Sequence, residues 1–158
     1  MIKVAILTIS DSCAEGKRED TSGQAIEEML LQHKFEISEK RTVPDDRNAI
    51  AAQLIHFSDR SGVDLVFTTG GTGLGPRDVT PEATSSVCEK IVPGFAELIR
   101  SEGFKRTPNA ILSRAVAGIR GKTLIINLPG SPRAVRECLE LLVGILPHAI
   151  ETMRGGGH

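Results

Sequence analysis

Residues 68–84, TTGGTGLGPRDVTPEAT, are the part of this sequence best suited to bind an anionic ligand. Four of them are glycines, at positions 70, 71, 73 and 75. Glycine adopts positive φ angles at little cost, so consecutive backbone N–H groups can converge on one phosphate group. A tight turn from strand to helix would also use glycine, but it would not require four within six residues. The motif therefore predicts a site for a phosphate group or a nucleotide.

Other nucleotide-binding and catalytic motifs do not fit the sequence. A dinucleotide-binding G-x-G-x-x-G motif beginning at Gly71 would require glycine where Pro76 stands. Residues 121–123, GKT, resemble the end of a P-loop, but they lead into a predicted strand, so we interpret them as a solvated turn. Neither HExxH nor GxSxG occurs. The three cysteines are widely spaced and predict neither a disulfide framework nor a zinc site.

The composition argues against two classes of partner. The formal net charge is -1, and the chain has five Phe but no Trp or Tyr. It therefore lacks a strong basic excess and has few aromatic rings on which bases could stack, so we expect no nucleic-acid partner. No apolar run approaches the roughly 20 residues that a membrane span requires, so we expect no membrane partner. Free cysteines are typical of the reducing cytoplasm, which is the location we expect.

The alternation of predicted strands and helices indicates one α/β domain. Nearly continuous apolar runs predict buried strands at residues 4–9, 63–69 and 123–128. Partly alternating apolar and polar residues predict a more exposed strand at residues 35–43, which begins at Phe35. Apolar residues at helical spacing predict helices near residues 26–33, 50–62, 81–90, 94–103, 108–117 and 132–153. Two of these helices have a start signal in the sequence, a hydroxyl residue followed by proline: Thr80-Pro81 and Ser131-Pro132. We expect a three-layer α/β/α sandwich with a mostly parallel sheet over residues 1–154, followed by a disordered tail at 155–158.

Four segments together resemble the molybdopterin adenylyltransferase family (MogA/MoaB) of molybdenum-cofactor biosynthesis. They are the glycine-rich motif, VPDD at 43–46, AILSR at 110–114 and NLPGSP at 127–132, and they occur in the family's order across nearly the whole chain. The resemblance implies a homotrimer of α/β/α subunits. It also implies transfer of AMP from ATP to the terminal phosphate of molybdopterin, with Mg²⁺ as cofactor and release of pyrophosphate. A separate metal-insertion protein of related fold would then receive the product.

The resemblance also implies roles for particular residues. Asp45 and Asp78 would be the catalytic, metal-associated acids, and the remaining substrate- or nucleotide-binding positions would be Ser10, Asp11, Thr69, Gly70, Gly71, Thr72, Gly73, Ser113, Arg114, Asn127, Pro129, Gly130 and Ser131.

Simpler interpretations remain open for several of these residues. Asp45, with Asp46, could instead cap a helix, and Arg77 could simply neutralise Asp78. Ser10, Asp11 and Ser131 could be ordinary capping residues, and an arginine on a helix, such as Arg114, is usually a solvated charge.

Three other functions would retain the same site. A binding or carrier protein would hold molybdopterin without catalysis, and a structural or regulatory trimer would bind ligands without magnesium dependence. The metal-insertion protein carries further domains, for which we expect 158 residues to leave no room. An enzyme is the function that we expect.

Overall fold

The predicted alternation of strands and helices forms a single six-stranded sheet. A computed structural model describes residues 1–156. The strands are β1 (Lys3–Ile9), β2 (Glu36–Val43), β3 (Leu65–Thr69), β4 (Lys90–Ile91), β5 (Ala117–Arg120) and β6 (Thr123–Leu128), in the spatial order β2-β1-β3-β6-β5-β4. The first four strands in that order pair in parallel, whereas β5 and β4 are antiparallel to their neighbours. The expected mostly parallel sheet is confirmed.

Helices cover both faces of the sheet and make the three layers. They are α1 (Asp11–Ala14), α2 (Thr21–Gln32), α3 (Arg47–Ile55), α4 (Thr80–Val87), α5 (Pro93–Arg106), α6 (Pro132–Leu142) and α7 (Leu146–Met153). Successive residues of a strand point to opposite faces. In β1, Ile6 therefore packs in the core with α2, α5, α6 and α7, while Leu7 packs in the core with α3 and α4. The predicted α/β/α sandwich is confirmed.

Two sequence-based interpretations of helices are wrong. Thr80 does not cap α4: Val79 is the capping residue, and the Thr80 hydroxyl donates instead to the carbonyl of Gly70 at 2.9 Å. The predicted helix at residues 108–117 is only a short 3₁₀ helix (Pro108–Leu112), after which the chain extends into β5. Pairing with β6 explains the difference, because it satisfies the β5 backbone with long-range hydrogen bonds that local sequence does not reveal.

Other details agree with the sequence-based prediction. Ser131 caps α6 by accepting a hydrogen bond from the N–H of Ala134 at 3.1 Å. The predicted break near Gly144 separates α6 from α7, and residues 121 and 122 of the predicted turn connect β5 to β6, which begins at Thr123. Within residues 1–156, no helix combines the length and the apolar character needed to cross a membrane.

The expected tail begins as part of the last helical turn. The N–H of Gly155 donates to Thr152 and that of Gly156 donates to Glu151, each at 3.0 Å. The remaining residues of that predicted tail, 157 and 158, lie outside the described residues.

Candidate functional site

A polar cavity of about 190 Å³ lies at the carboxyl ends of the parallel strands. The chain passes from β1 outwards to β2 and then returns to β3 on the other side, and ligands bind at such a switch point in open α/β sheets. Seven residues predicted from the sequence line the cavity: Ser10, Asp45, Thr69, Gly70, Gly71, Asp78 and Gly130. The fold thus brings together the ends of four strands that are distant in sequence.

The glycine-rich loop opens with two residues in the left-handed region. Gly70 has φ 100° and Gly71 has φ 70°, whereas Gly73 and Gly75 do not adopt positive φ, in contrast to what the motif suggests. Gly73 and Gly75 are instead close to a carboxylate, because a Cβ on either would lie 2.9 Å from Asp78 Oδ2. Among residues 1–156, the N–H groups of Gly71, Thr72 and Gly73 have no hydrogen-bond acceptor. Of these three residues, only Gly71 lines the polar cavity, so its N–H is the one placed to meet an anion there.

Asp45 is held in place by Asp11. The N–H of Asp45 donates to Asp11 Oδ1 at 2.9 Å, and the N–H of Asp11 donates to Asp45 Oδ2 at 3.1 Å. Arg77 in turn donates to both oxygens of Asp11, from Nη2 at 3.0 Å and from Nε at 3.1 Å. Protein groups thus occupy the carboxylate of Asp11, which holds Asp45 and Arg77 in place, and the substrate binding that the resemblance implies for Asp11 stays a prediction.

The simpler interpretations of the two candidate catalytic acids do not hold. Asp46, and not Asp45, caps α3 by accepting a hydrogen bond from the N–H of Ala49 at 2.8 Å. Arg77 pairs with Asp11 instead of neutralising Asp78, and Asp78 Oδ2 accepts a hydrogen bond from Gly75 at 2.9 Å. Both Asp45 and Asp78 therefore remain candidates for binding a ligand.

The electrostatic environments of Asp11 and Asp45 differ. Hydrogen bonds from Arg77 hold the pKa of Asp11 below its usual value. Burial raises the pKa of Asp45 above its usual value, and the negative charges of Asp11 and Asp78 raise it further. Asp45 is therefore a partly buried carboxylate among other negative charges. A bound cation would stabilise its ionised form.

Arg114 supports the glycine-rich loop from outside the cavity. Its Nε donates to the carbonyl of Gly73 at 2.8 Å, its Nη2 donates to the carbonyl of Asp78 at 2.7 Å, and it pairs with Glu82 at 2.7 Å. The segment containing Arg114 is not helical, and the interpretation as a solvated charge is wrong. The N–H of Arg114 also donates to the carbonyl of Thr72 at 2.8 Å, which ties the two segments together.

Asn127 is a structural residue in this fold. Its buried side chain donates to the hydroxyls of Thr68 and Thr84 at 3.0 Å and accepts a hydrogen bond from the N–H of Val116 at 3.2 Å. All of these partners belong to the protein. Asn127 is not among the residues that line the polar cavity, and the ligand binding that the resemblance implies for it stays a prediction.

A second cavity, of about 260 Å³, lies between α5 and α6. It is lined by three further predicted site residues, Ser113, Pro129 and Ser131. Its walls are largely apolar, with Ile99 and Leu141 among them. The loop of residues 129–131 separates the two cavities, since Gly130 lines the polar one.

Sequence reasoning missed four residues that line the polar cavity: Thr8 and Ile9 at the end of β1, and Arg18 and Ser22 farther along the chain. Arg18 lies in the loop between α1 and α2, and Ser22 lies in the first turn of α2. Neither belongs to a motif or to a periodic apolar pattern. Arg18 and Ser22 reach the site because the chain between α1 and α2 passes back over the end of β1.

Comparisons with known proteins identify the family. Residues 5–148 match the family described as "Probable molybdopterin binding domain". A "Molybdopterin adenylyltransferase" of Helicobacter pylori (strain J99) is 47% identical over 156 residues, covering 98% of this chain and 89% of that protein. The Escherichia coli K12 protein of the same name is 42% identical over 142 residues, covering 88% of this chain and 72% of that protein.

A solved structure gives the same result for the fold. The crystal structure of the molybdopterin biosynthesis enzyme MoaB from Thermus thermophilus matches with a TM-score of 0.93 at 50% identity, covering 98% of both chains. By sequence and by fold, this chain belongs to the molybdopterin-binding-domain family.

Proposed function

We propose that this protein is a molybdopterin adenylyltransferase, an enzyme of molybdenum-cofactor biosynthesis that transfers AMP from ATP to the terminal phosphate of molybdopterin. Relatives with that name, at 42% and 47% identity, support the reaction class. The observation that carries the proposal is the polar cavity, where Asp45 and Asp78 lie beside the positive-φ glycines Gly70 and Gly71.

The reaction places two demands on this site. An oxygen of the molybdopterin phosphate forms a bond to the α-phosphorus of ATP. The bond from that phosphorus to the oxygen bridging to the β-phosphate then breaks, and pyrophosphate leaves with the electron pair. The site must hold two anions together and stabilise the charge that develops on the leaving group. The N–H of Gly71, which has no acceptor within residues 1–156, is suited to orient a phosphate oxygen.

The residues present fit the magnesium ion that the resemblance implies. Within residues 1–156, no three His, Cys, Asp or Glu side chains are grouped so as to hold a metal by themselves. Mg²⁺ is commonly held by only one or two carboxylates, with phosphate and water as further ligands. Asp45 Oδ1 and Asp78 Oδ1 accept no hydrogen bond from residues 1–156 and would be those ligands. When bound, the ion would supply positive charge to the phosphates.

A binding protein without catalysis is the alternative, and a pyrophosphate-release assay separates the two functions. We expect release only when ATP, molybdopterin and Mg²⁺ are all present, because attack by the pterin phosphate is what expels pyrophosphate. Omission of molybdopterin is the control for simple ATP hydrolysis. A protein that binds both ligands and releases no pyrophosphate would be the carrier.

The subunit assembly is also a proposal, and we expect a homotrimer. Apolar side chains exposed on the glycine-rich loop and the nearby 3₁₀ helix support self-association, among them Leu74 at 66% and Ile111 at 58% exposure. Light scattering should give about three times the chain mass of 16.9 kDa. An Ile111→Glu variant should dissociate, because it would place a charge in the interface. A stable monomer at micromolar concentration would contradict the trimer.

Two cellular aspects belong to the same proposal. We place the reaction in the cytoplasm, with hand-over of the adenylylated pterin to a separate metal-insertion protein. The location rests on the free cysteines, and the hand-over rests on the family resemblance, which leaves open whether molybdenum or tungsten is finally inserted.

A further inference from the structure

Arg18 is the only basic side chain, within residues 1–156, that lines the polar cavity containing Asp45 and Asp78. We propose that Arg18 binds a phosphate group of a substrate at this site. This inference rests on the proposed function and names a substrate-binding residue that neither the glycine motif nor the family resemblance indicates.

The guanidinium of Arg18 is available to a ligand. Three neighbouring cations are already paired: Lys17 with Glu15 at 2.8 Å, Arg77 with Asp11 at 3.0 Å and Arg114 with Glu82 at 2.7 Å. Arg18 forms no ion pair with any carboxylate of residues 1–156. It is therefore the one cation at the cavity whose charge the described part of the protein does not already neutralise.

The backbone around Arg18 is fixed at the rim of the cavity. On one side, the N–H of Lys17 donates to the carbonyl of Ser12 at 2.9 Å. On the other side, Asp20 accepts hydrogen bonds from the Thr8 hydroxyl at 2.7 Å and from the N–H of Gly23 at 2.8 Å. Because both ends of the loop are anchored, less conformational entropy is lost when Arg18 binds an anion.

The charges of the cavity favour this role. Asp45 and Asp78 contribute two negative charges and Arg18 contributes one positive charge, so the cavity by itself would repel a phosphorylated substrate. A magnesium ion on the aspartates would attract the phosphates that it touches. Arg18 supplies a second positive charge for another phosphate, and its planar guanidinium can donate two parallel hydrogen bonds to it.

Both substrates carry phosphate, so the test measures each separately. Calorimetry would determine the affinities of Arg18→Gln and Arg18→Lys for Mg·ATP and, in separate titrations, for molybdopterin. Lys17→Gln is the matched control, because Lys17 is the adjacent exposed cation and does not line the cavity. We expect Arg18→Gln to weaken the binding of at least one ligand by about tenfold or more, as the loss of a hydrogen bond to a charged group implies. Arg18→Lys should retain part of the affinity that Arg18→Gln loses.

The ligand whose affinity falls is the one whose phosphate Arg18 binds. A loss confined to Mg·ATP would assign Arg18 to the triphosphate, and a loss confined to molybdopterin would assign it to the pterin phosphate. Unchanged affinity for both ligands in a folded Arg18→Gln variant would overturn the inference. Arg18-dependent binding in a protein that releases no pyrophosphate would support the inference while contradicting the proposed enzyme. A wild-type protein that binds neither ligand would overturn both.

Discussion

Asp45→Asn and Asp78→Asn should each lower the rate of pyrophosphate release by about 100-fold or more, because in the proposed function each would remove a charge that positions magnesium on the triphosphate. Asparagine preserves the size of the side chain, so the loss would come from charge and not from packing. The measurement is the steady-state rate with saturating ATP, molybdopterin and Mg²⁺. Molybdopterin binding without magnesium should largely survive in both variants.

The double variant tests whether the two carboxylates act on one ion. Asp45 and Asp78 line the same cavity although 33 positions separate them in the chain. Groups that act as one unit are strongly non-additive, so the double variant should be little slower than the slower single variant. If the rate loss of the double variant equalled the product of the two single losses, the carboxylates would act independently, which would contradict a shared metal ion.

Asp46→Asn is the matched control for Asp45→Asn. Asp46 is the adjacent aspartate and caps α3, and asparagine caps a helix about as well as aspartate. Its substitution should leave the rate nearly unchanged. If Asp45→Asn were as silent as this control, Asp45 would have no part in catalysis, and the same reasoning applies to Asp78.

The stability of Asp45→Asn provides an independent check on the structure. The raised pKa of Asp45 means that the folded protein binds this proton more readily than the unfolded chain does. The ionised carboxylate therefore lowers stability at neutral pH, and this penalty disappears as the pH falls through the raised pKa. Asp45→Asn should accordingly leave the melting temperature at neutral pH unchanged or slightly higher.

Gly71→Ala should weaken Mg·ATP binding by about 10- to 100-fold, since a displaced N–H would lose a hydrogen bond to a charged phosphate group. Gly71 has φ 70°, and an added Cβ would overlap the hydroxyl of Thr80 and lie 3.1 Å from Asp45 Oδ1. The Thr80 hydroxyl is bonded to the carbonyl of Gly70, so the loop would shift. Valine, whose side chain is larger than that of alanine and branched at Cβ, would disturb the loop as well as the ligand space.

Gly62→Ala separates backbone strain from steric overlap. Gly62 has φ 63°, close to that of Gly71, but a Cβ there would meet nothing within 4 Å. Gly62→Ala should cost about 1 kcal/mol of unfolding free energy, the penalty for a left-handed alanine, and should leave ATP affinity unchanged. Gly71→Ala should cost more stability as well as affinity. Normal ATP affinity in a folded Gly71→Ala variant would contradict the phosphate-binding role of the loop.

The parts of the site that were predictable from sequence depend on local patterns. The apolar runs of β1 and β3 fixed two central strands, and the glycines at the end of β3 indicated the carboxyl edge. Two of those glycines, Gly70 and Gly71, do adopt the positive φ that the motif suggests. Because parallel strands end at the same edge, the approach of Asp45 to Gly71 also followed from the topology.

The parts that were missed depend on contacts between distant residues. Arg114 interacts with Glu82, 32 positions away, and Arg77 with Asp11, 66 positions away. Nothing local distinguishes these arginines from solvated charges. The same is true of Arg18, which reaches the cavity through the path of an irregular loop, and of β5, which forms because β6 is beside it.

Transfer of AMP to molybdopterin by this protein can be tested by following the α-phosphate of ATP. The wild-type protein would be incubated with molybdopterin, Mg²⁺ and ATP labelled at the α-phosphorus. We predict that the label appears on molybdopterin in amounts equal to the pyrophosphate released. Label that remains entirely in ATP, or appears only as free AMP, would contradict adenylyl transfer by this protein.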